Sequence, residues 1–159
     1  MRKMELANNF EDLHTYGKLS KDEEPLCVHV RLGDYFNEPK IGILPAKYYH
    51  DALHYQFSKF NYKKIWLFSN DSERAMGVIP PEFKSMVRIV ESDLSSAQTL
   101  EVMRLCSGYV IANSSFSWWG AFLSKKHSPI VVCPQKWFKI SDDPNFITPP
   151  NWHKIISFP

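Results

Sequence analysis

The chain has 159 residues and 44% apolar content, enough for one domain with a real core. Its formal net charge is only +2 and no basic run tracks along it, which excludes a general nucleic-acid binder. Cys27, Cys106 and Cys133 lie in apolar runs without CxxC spacing, which argues against a disulfide frame or a zinc site and reads as reduced core thiols of a cytosolic protein.

No apolar run reaches the ~18 residues that cross a membrane, and no signal peptide opens the chain. Residues 1–24 are polar and weakly patterned, and read as an N-terminal linker or helix with a loop over Ser20–Pro25. Residues 25–159 then form the main domain. Leu26–Val30 is apolar and β-branched, the mark of a buried strand, and it runs directly into Arg31, Gly33 and Asp34. After a loop, Pro45 opens a helix whose buried face is expected at Ala46, Tyr49, Leu53, Phe57 and Phe60. Ile65–Phe68 is a second strand, closed by the turn or cap cluster Ser69-Asn70-Asp71. A short helix precedes Pro80-Pro81, and Val87–Val90 is a third strand. Ser95 or Ser96 caps a helix carrying Leu100, Met103 and Cys106, with Gly108 as its stop. Tyr109–Ala112 is a fourth strand, Phe116–Leu123 a compact aromatic helix with one Trp expected inside, and Pro129–Cys133 a fifth strand before a Pro-rich tail.

Strands and helices alternate, and the strands lack polar alternation. That pattern specifies a parallel sheet covered on both faces, an α/β fold. The polar clusters His29/Arg31, Ser69-Asn70-Asp71, Asn113-Ser114-Ser115 and Gln135-Lys136 all follow strand ends. In an open parallel sheet those ends share one edge, where ligands bind.

Arg31 presents a planar fork that matches phosphate oxygens, or it pins the turn by pairing with Asp34. His29 shares its face and either contacts a nucleotide or fills the core. Asp34 and Glu38 are the carboxylates just past the strand, Asp34 mainly structural and Glu38 a general-base candidate. Asn113, Ser114, Ser115 and Ser117 precede or open a helix, where backbone N–H groups and hydroxyls can meet an anion. Asp71 contacts a ribose or caps a helix, and Lys136 adds charge or sits in solvent. No GxGxxG, GxxxxGK[ST] or HExxH is present.

His29-Val30-Arg31-Leu32-Gly33-Asp34-Tyr35, Phe68-Ser69-Asn70-Asp71, Met103-Arg104-Leu105-Cys106, Ile111 through Ala121 and Pro134-Gln135-Lys136-Trp137-Phe138 together resemble the ordered motifs of the bacterial α-1,2-fucosyltransferases, glycosyltransferase family 11. The resemblance runs from about Pro25 to the C-terminus. It implies a Rossmann-like parallel sheet with helices on both faces, like the C-terminal half of a GT-B glycosyltransferase. It implies binding of GDP-fucose and inverting transfer of fucose to the 2-hydroxyl of a terminal galactose on a glycan, with no metal ion or other cofactor required. By position Arg31 would hold the donor diphosphate, His29 would lie near the nucleotide, and Ser114, Ser115 and Ser117 would face the phosphates. The expected setting is cytoplasmic, peripheral at the inner face of the membrane.

The family's N-terminal, acceptor-binding half has no counterpart in this sequence, so a homo-oligomer or a missing N-terminal half is expected. The acidic pair usual before Met103 is replaced by Gln98-Thr99, with Glu101 nearby. A non-catalytic nucleotide-sugar or glycan binding module derived from such an enzyme is the alternative.

Overall fold

The computed structural model describes residues 2–90, 93–140 and 147–158. Six strands form one parallel sheet: β1 (Leu26–Val30), β2 (Ile65–Ser69), β3 (Val87–Ile89), β4 (Gly108–Val110), β5 (Ile130–Pro134) and β6 (His153–Ile155). Their order is β3-β2-β1-β4-β5-β6, and every neighbouring pair is parallel. Among the described residues five α-helices cover it: α1 (Arg2–Glu23), α2 (Ala46–Lys59), α3 (Ser72–Gly77), α4 (Ser96–Arg104) and α5 (Ser115–Phe122). The fold is α/β with a parallel sheet, as the alternation of apolar strands and helices predicts, and Rossmann-like, as the family resemblance implies.

Side chains alternate across each strand, so the sheet has two cores. Leu26, Val28 and Val30 of β1 pack with Tyr49, Ala52 and Leu53 of α2. Cys27 of β1, with Trp66 and Phe68 of β2, packs on the opposite face with Tyr16 of α1, Val102 and Met103 of α4, and Ala121 of α5. All three cysteines are buried and free of disulfides. No described helix is long and apolar enough to cross a membrane.

Four local expectations give way to tertiary packing. The residues Ser20–Glu23 are helical, not a loop. Glu23 ends α1 where it accepts from Trp66 Nε1 at 2.6 Å and ion-pairs with Arg88, so partners distant in sequence hold the last turn. The buried face of α2 is rotated from the expected one. Tyr48 and Gln56 are inside, whereas Ala46 and Phe60 are exposed. Gln56 donates to the carbonyls of Tyr109 and Ile130 at 2.7 and 3.0 Å and accepts from Tyr62 Oη, so its buried amide is satisfied.

Gly108 does not stop α4, which ends at Arg104. Gly108 opens β4, and a Cβ there would meet Tyr62 Oη at 2.1 Å. The tail contributes β6, whose His153 and Lys154 are exposed. Its stretch 141–146 lies outside the described residues.

Candidate functional site

The chain leaves β1 for β2 and β3 on one side, then returns to β4, β5 and β6 on the other. Strand order therefore reverses between β1 and β4, and the strands' carboxyl ends splay apart into a crevice there. A cleft of about 410 Å³ occupies that place. It is lined at and after the end of β1 by His29, Arg31, Asp34 and Tyr35, around the end of β2 by Phe68, Ser69 and Asn70, on α4 by Ser96, Thr99 and Met103, and after β4 by Ser114, Ser115 and Phe116.

Local chemistry explains how each group reaches the cleft. Gly33 has φ +38°, a left-handed conformation that turns the chain sharply after β1. The turn is locked by Asn70, whose Oδ1 accepts from Leu32 N at 3.0 Å and whose amide nitrogen lies 2.2 Å from where a Gly33 Cβ would be. Arg31 is thereby held at the cleft mouth. Its Nη2 donates to Asp34 Oδ2 at 2.9 Å, and its guanidinium lies 5.6 Å from the Tyr35 ring centroid. Arg31 stays one-third exposed, with further N–H groups available to an anion. The Arg31 hydrogen bond holds the Asp34 carboxyl below its ordinary range. Tyr35 Oη crosses to the Asn113 carbonyl at 3.1 Å and ties the β1 loop to the end of β4.

His29 is 4% exposed, with Phe116 as its ring neighbour at 6.2 Å. Its Nδ1 is buried at the cleft without a hydrogen-bond partner. Burial, reinforced by the Arg31 charge, pushes its pKa down to about 3, so the ring is neutral at ordinary pH. Opposite it, α5 begins. Ser114 is the N-cap in extended backbone, and its side chain makes no capping bond. The first N–H groups of α5 have no intrahelical acceptors, and the helix dipole places partial positive charge there.

Sequence reasoning and geometry agree on His29, Arg31, Asp34, Ser114 and Ser115, which meet in one cleft. They part elsewhere. The Asn113 side chain turns away and donates to the carbonyls of Ile41, Gly42 and Trp137, between 3.0 and 3.2 Å. Ser117 is buried in α5 and donates to Ser114 O at 3.2 Å, so it does not face the cleft. Asp71 caps α3, accepting from Arg74 N at 3.1 Å, and its neighbours Ser69 and Asn70 line the cleft instead.

Glu38 lies outside the cleft lining, in an exposed turn where its carbonyl accepts from Ile41 N and Gly42 N. Glu101 pairs with Arg104 and Lys125, which leaves the α4 wall uncharged, with Ser96 and Thr99. Lys136 is held by its backbone: its N–H donates to Ser157 Oγ at 2.9 Å, and that hydroxyl donates to Lys136 O at 2.8 Å. Sequence reasoning missed Ser96 and Thr99; only the helical phase of α4 places them one turn apart.

Of the Trp pair, Trp118 is half-buried and donates to Ile147 O at 2.7 Å, while Trp119 is exposed. Gly120 admits Met103, whose Sδ would lie 3.0 Å from a Cβ there, so α5 and α4 pack closely at this glycine.

A doubly wound sheet with a cationic fork and a helix N-terminus at its switch point is an open α/β domain whose crevice suits an anionic ligand. The chain belongs to Glycosyl transferase family 11, whose pattern matches residues 2–155. It is 34% identical over 139 residues to the O-antigen biosynthesis glycosyltransferase WbnK of Escherichia coli, covering 84% of this chain and 46% of that protein. It is 30% identical over 137 residues to an alpha-1,2-colitosyltransferase of Escherichia coli, covering 82% and 47% respectively. The chain thus spans about half the length of the curated relatives it matches.

Proposed function

We propose that this chain is the donor-binding part of a glycosyltransferase and that its cleft takes the diphosphate of GDP-fucose or a closely related GDP-deoxyhexose. One observation carries the reading: Arg31, His29 and the N-terminus of α5 line a single cleft at the switch point, and His29 keeps a buried Nδ1 without a partner. The guanidinium and the α5 N–H groups suit an anion, and the neutral His29 suits a hydrogen bond to the uncharged part of the donor.

In the transfer, an acceptor hydroxyl attacks the anomeric carbon from the face opposite the nucleotide. The bond from that carbon to the β-phosphate oxygen breaks, and GDP departs with the electron pair. Negative charge grows on the diphosphate, where a fixed guanidinium and fixed N–H dipoles stabilise it best. Asp34, held ionised by Arg31, serves as the counter-ion that orients the fork. It is a poor general base, and so is His29 with its pKa near 3. The base and most acceptor contacts are assigned to the half that the longer relatives contain.

The proposed acceptor is the 2-hydroxyl of a terminal galactose. The colitosyltransferase relative makes the 3-deoxy analogue of fucose the competing donor sugar.

Calorimetric titration of GDP, ADP and UDP into wild type and Arg31→Ala tests the reading. GDP alone is expected to bind, and the variant loses about 2–3 kcal/mol of affinity, roughly thirty- to a hundredfold. Equal binding of all three nucleotides, or an Arg31→Ala variant with undiminished affinity, overturns it. Competition between GDP-fucose and its 3-deoxy counterpart then assigns the sugar.

A further inference from the structure

The two parts of the cleft that suit an anion come from distant stretches of the chain. Arg31 follows β1, and the start of α5 follows β4. A diphosphate carries two linked anionic groups, so it gains fully from both donors only when their separation is fixed beforehand. The short 3-10 turn Gly33–Asn37 beside Arg31 has no buried residue, so core packing does not set its distance from α5. Tyr35, in the middle of that turn, makes the connection. Its half-buried ring lies beside the Arg31 guanidinium, with 5.6 Å to the ring centroid. Its Oη donates to the Asn113 carbonyl at 3.1 Å. Asn113 is 1% exposed and immediately precedes Ser114, the N-cap of α5. That carbonyl therefore belongs to the frame that carries the first N–H groups of α5. Burial raises the Tyr35 pKa, so the hydroxyl keeps its proton and remains a donor. Ser114 makes no capping bond, which leaves those N–H groups unclaimed by its side chain.

We infer that Tyr35 is a positioning residue for the donor: with its ring against Arg31 and its hydroxyl on the Asn113 carbonyl, it sets the spacing between the guanidinium and the start of α5 so that two adjacent phosphates are held at once. This role rests on the diphosphate reading of the cleft and narrows it, because it makes Tyr35 a determinant of diphosphate over monophosphate. A single phosphate needs only one of the two donors and is indifferent to their spacing. Asp34 orients the fork from within the turn, and Tyr35 orients the turn against α5. Donors fixed in this way need not reorganise as charge grows on the departing diphosphate.

Calorimetric titration of GDP and of GMP into wild type, Tyr35→Phe, Arg31→Ala and the double variant tests this role. Tyr35→Phe keeps the ring and removes the bond. Its GDP affinity is expected to fall about five- to tenfold and its GMP affinity by less than about twofold, so the ratio between the two drops. In the Arg31→Ala background one of the two donors is already gone, and Tyr35→Phe should change GDP affinity by less than about twofold. A bond that merely braced the turn would weaken both nucleotides alike and would cost the same with or without Arg31.

Equal losses for GDP and GMP, additive losses in the double variant, or undiminished GDP affinity in Tyr35→Phe each overturn the inference while the donor cleft stands. A wild type that binds neither nucleotide removes the donor-site reading itself, and the role of Tyr35 with it.

Discussion

The ends of β4 and β5 lie side by side on the carboxyl edge, and each is followed by a polar cluster. After β4, Ser114 and Ser115 open α5 and face the cleft. After β5, Gln135 N donates to Ile155 O and Lys136 is clasped through its backbone by Ser157. The first cluster leaves donors available; the second consumes them. Position at a strand end is therefore not enough. What separates the two is the reversal of strand order between β1 and β4, which opens a crevice at one strand end, whereas β5 is flanked by β4 and β6 and its exit is covered by the tail.

Asn113 offers the sharpest way to break this comparison, because it stands at the β4 end yet acts as a clasp. Asn113→Ala strands three loop carbonyls and should cost about 3 kcal/mol of folding stability, read by chemical denaturation, with GDP affinity kept within a few-fold. A stable variant that has lost GDP binding would return Asn113 to the ligand.

His29 comes next. Its pKa is about 3 in the folded protein against 6.5 when unfolded, so only the unfolded chain takes up its proton in between. Its contribution to stability is complete above pH 6.5 and is lost as pH falls towards 3. Between pH 6.5 and 5, where carboxylates remain ionised, the loss is about 2 kcal/mol. His29→Leu should flatten the dependence of melting temperature on pH across that interval. An unchanged slope would mean the ring is protonated in place.

The smallest effect is expected on the β5 side. Ser157→Ala removes the clasp on Lys136 and should cost about 1 kcal/mol, with no change in nucleotide affinity. A loss of GDP binding there would extend the cleft across β5.

Much of this layout is legible in the sequence because it is local. Runs such as Ile65-Trp66-Leu67-Phe68 become fully buried strands, and Ser95 with Gln98 closes a capping box on α4. Arg31, Gly33 and Asp34 are within four positions, so their joint turn can be read directly. What stayed hidden depends on distant partners. β6 has only three residues, two of them exposed, and exists by pairing with β5. Gly108 has the look of a helix stop until Tyr62 is brought against it. Asn113, Ser117 and Asp71 carry side chains suited to a ligand, and neighbouring backbone groups claim them first. A sequence shows which residues can donate or accept; only the assembled sheet shows which are already engaged.

The placement of β1 beside β4 also sets an order of events. β1, α2, β2, α3 and β3 follow one another in the chain and can assemble by short-range closures. Pairing Leu26 with Gly108 must wait for a loop that encloses all of them, and such long closures are slow. The cleft spans that long-range junction, so it exists only once β1 and β4 have paired. A nucleotide that recognises it binds only molecules in which that junction is closed, and during refolding its capture would time this pairing rather than the collapse that precedes it.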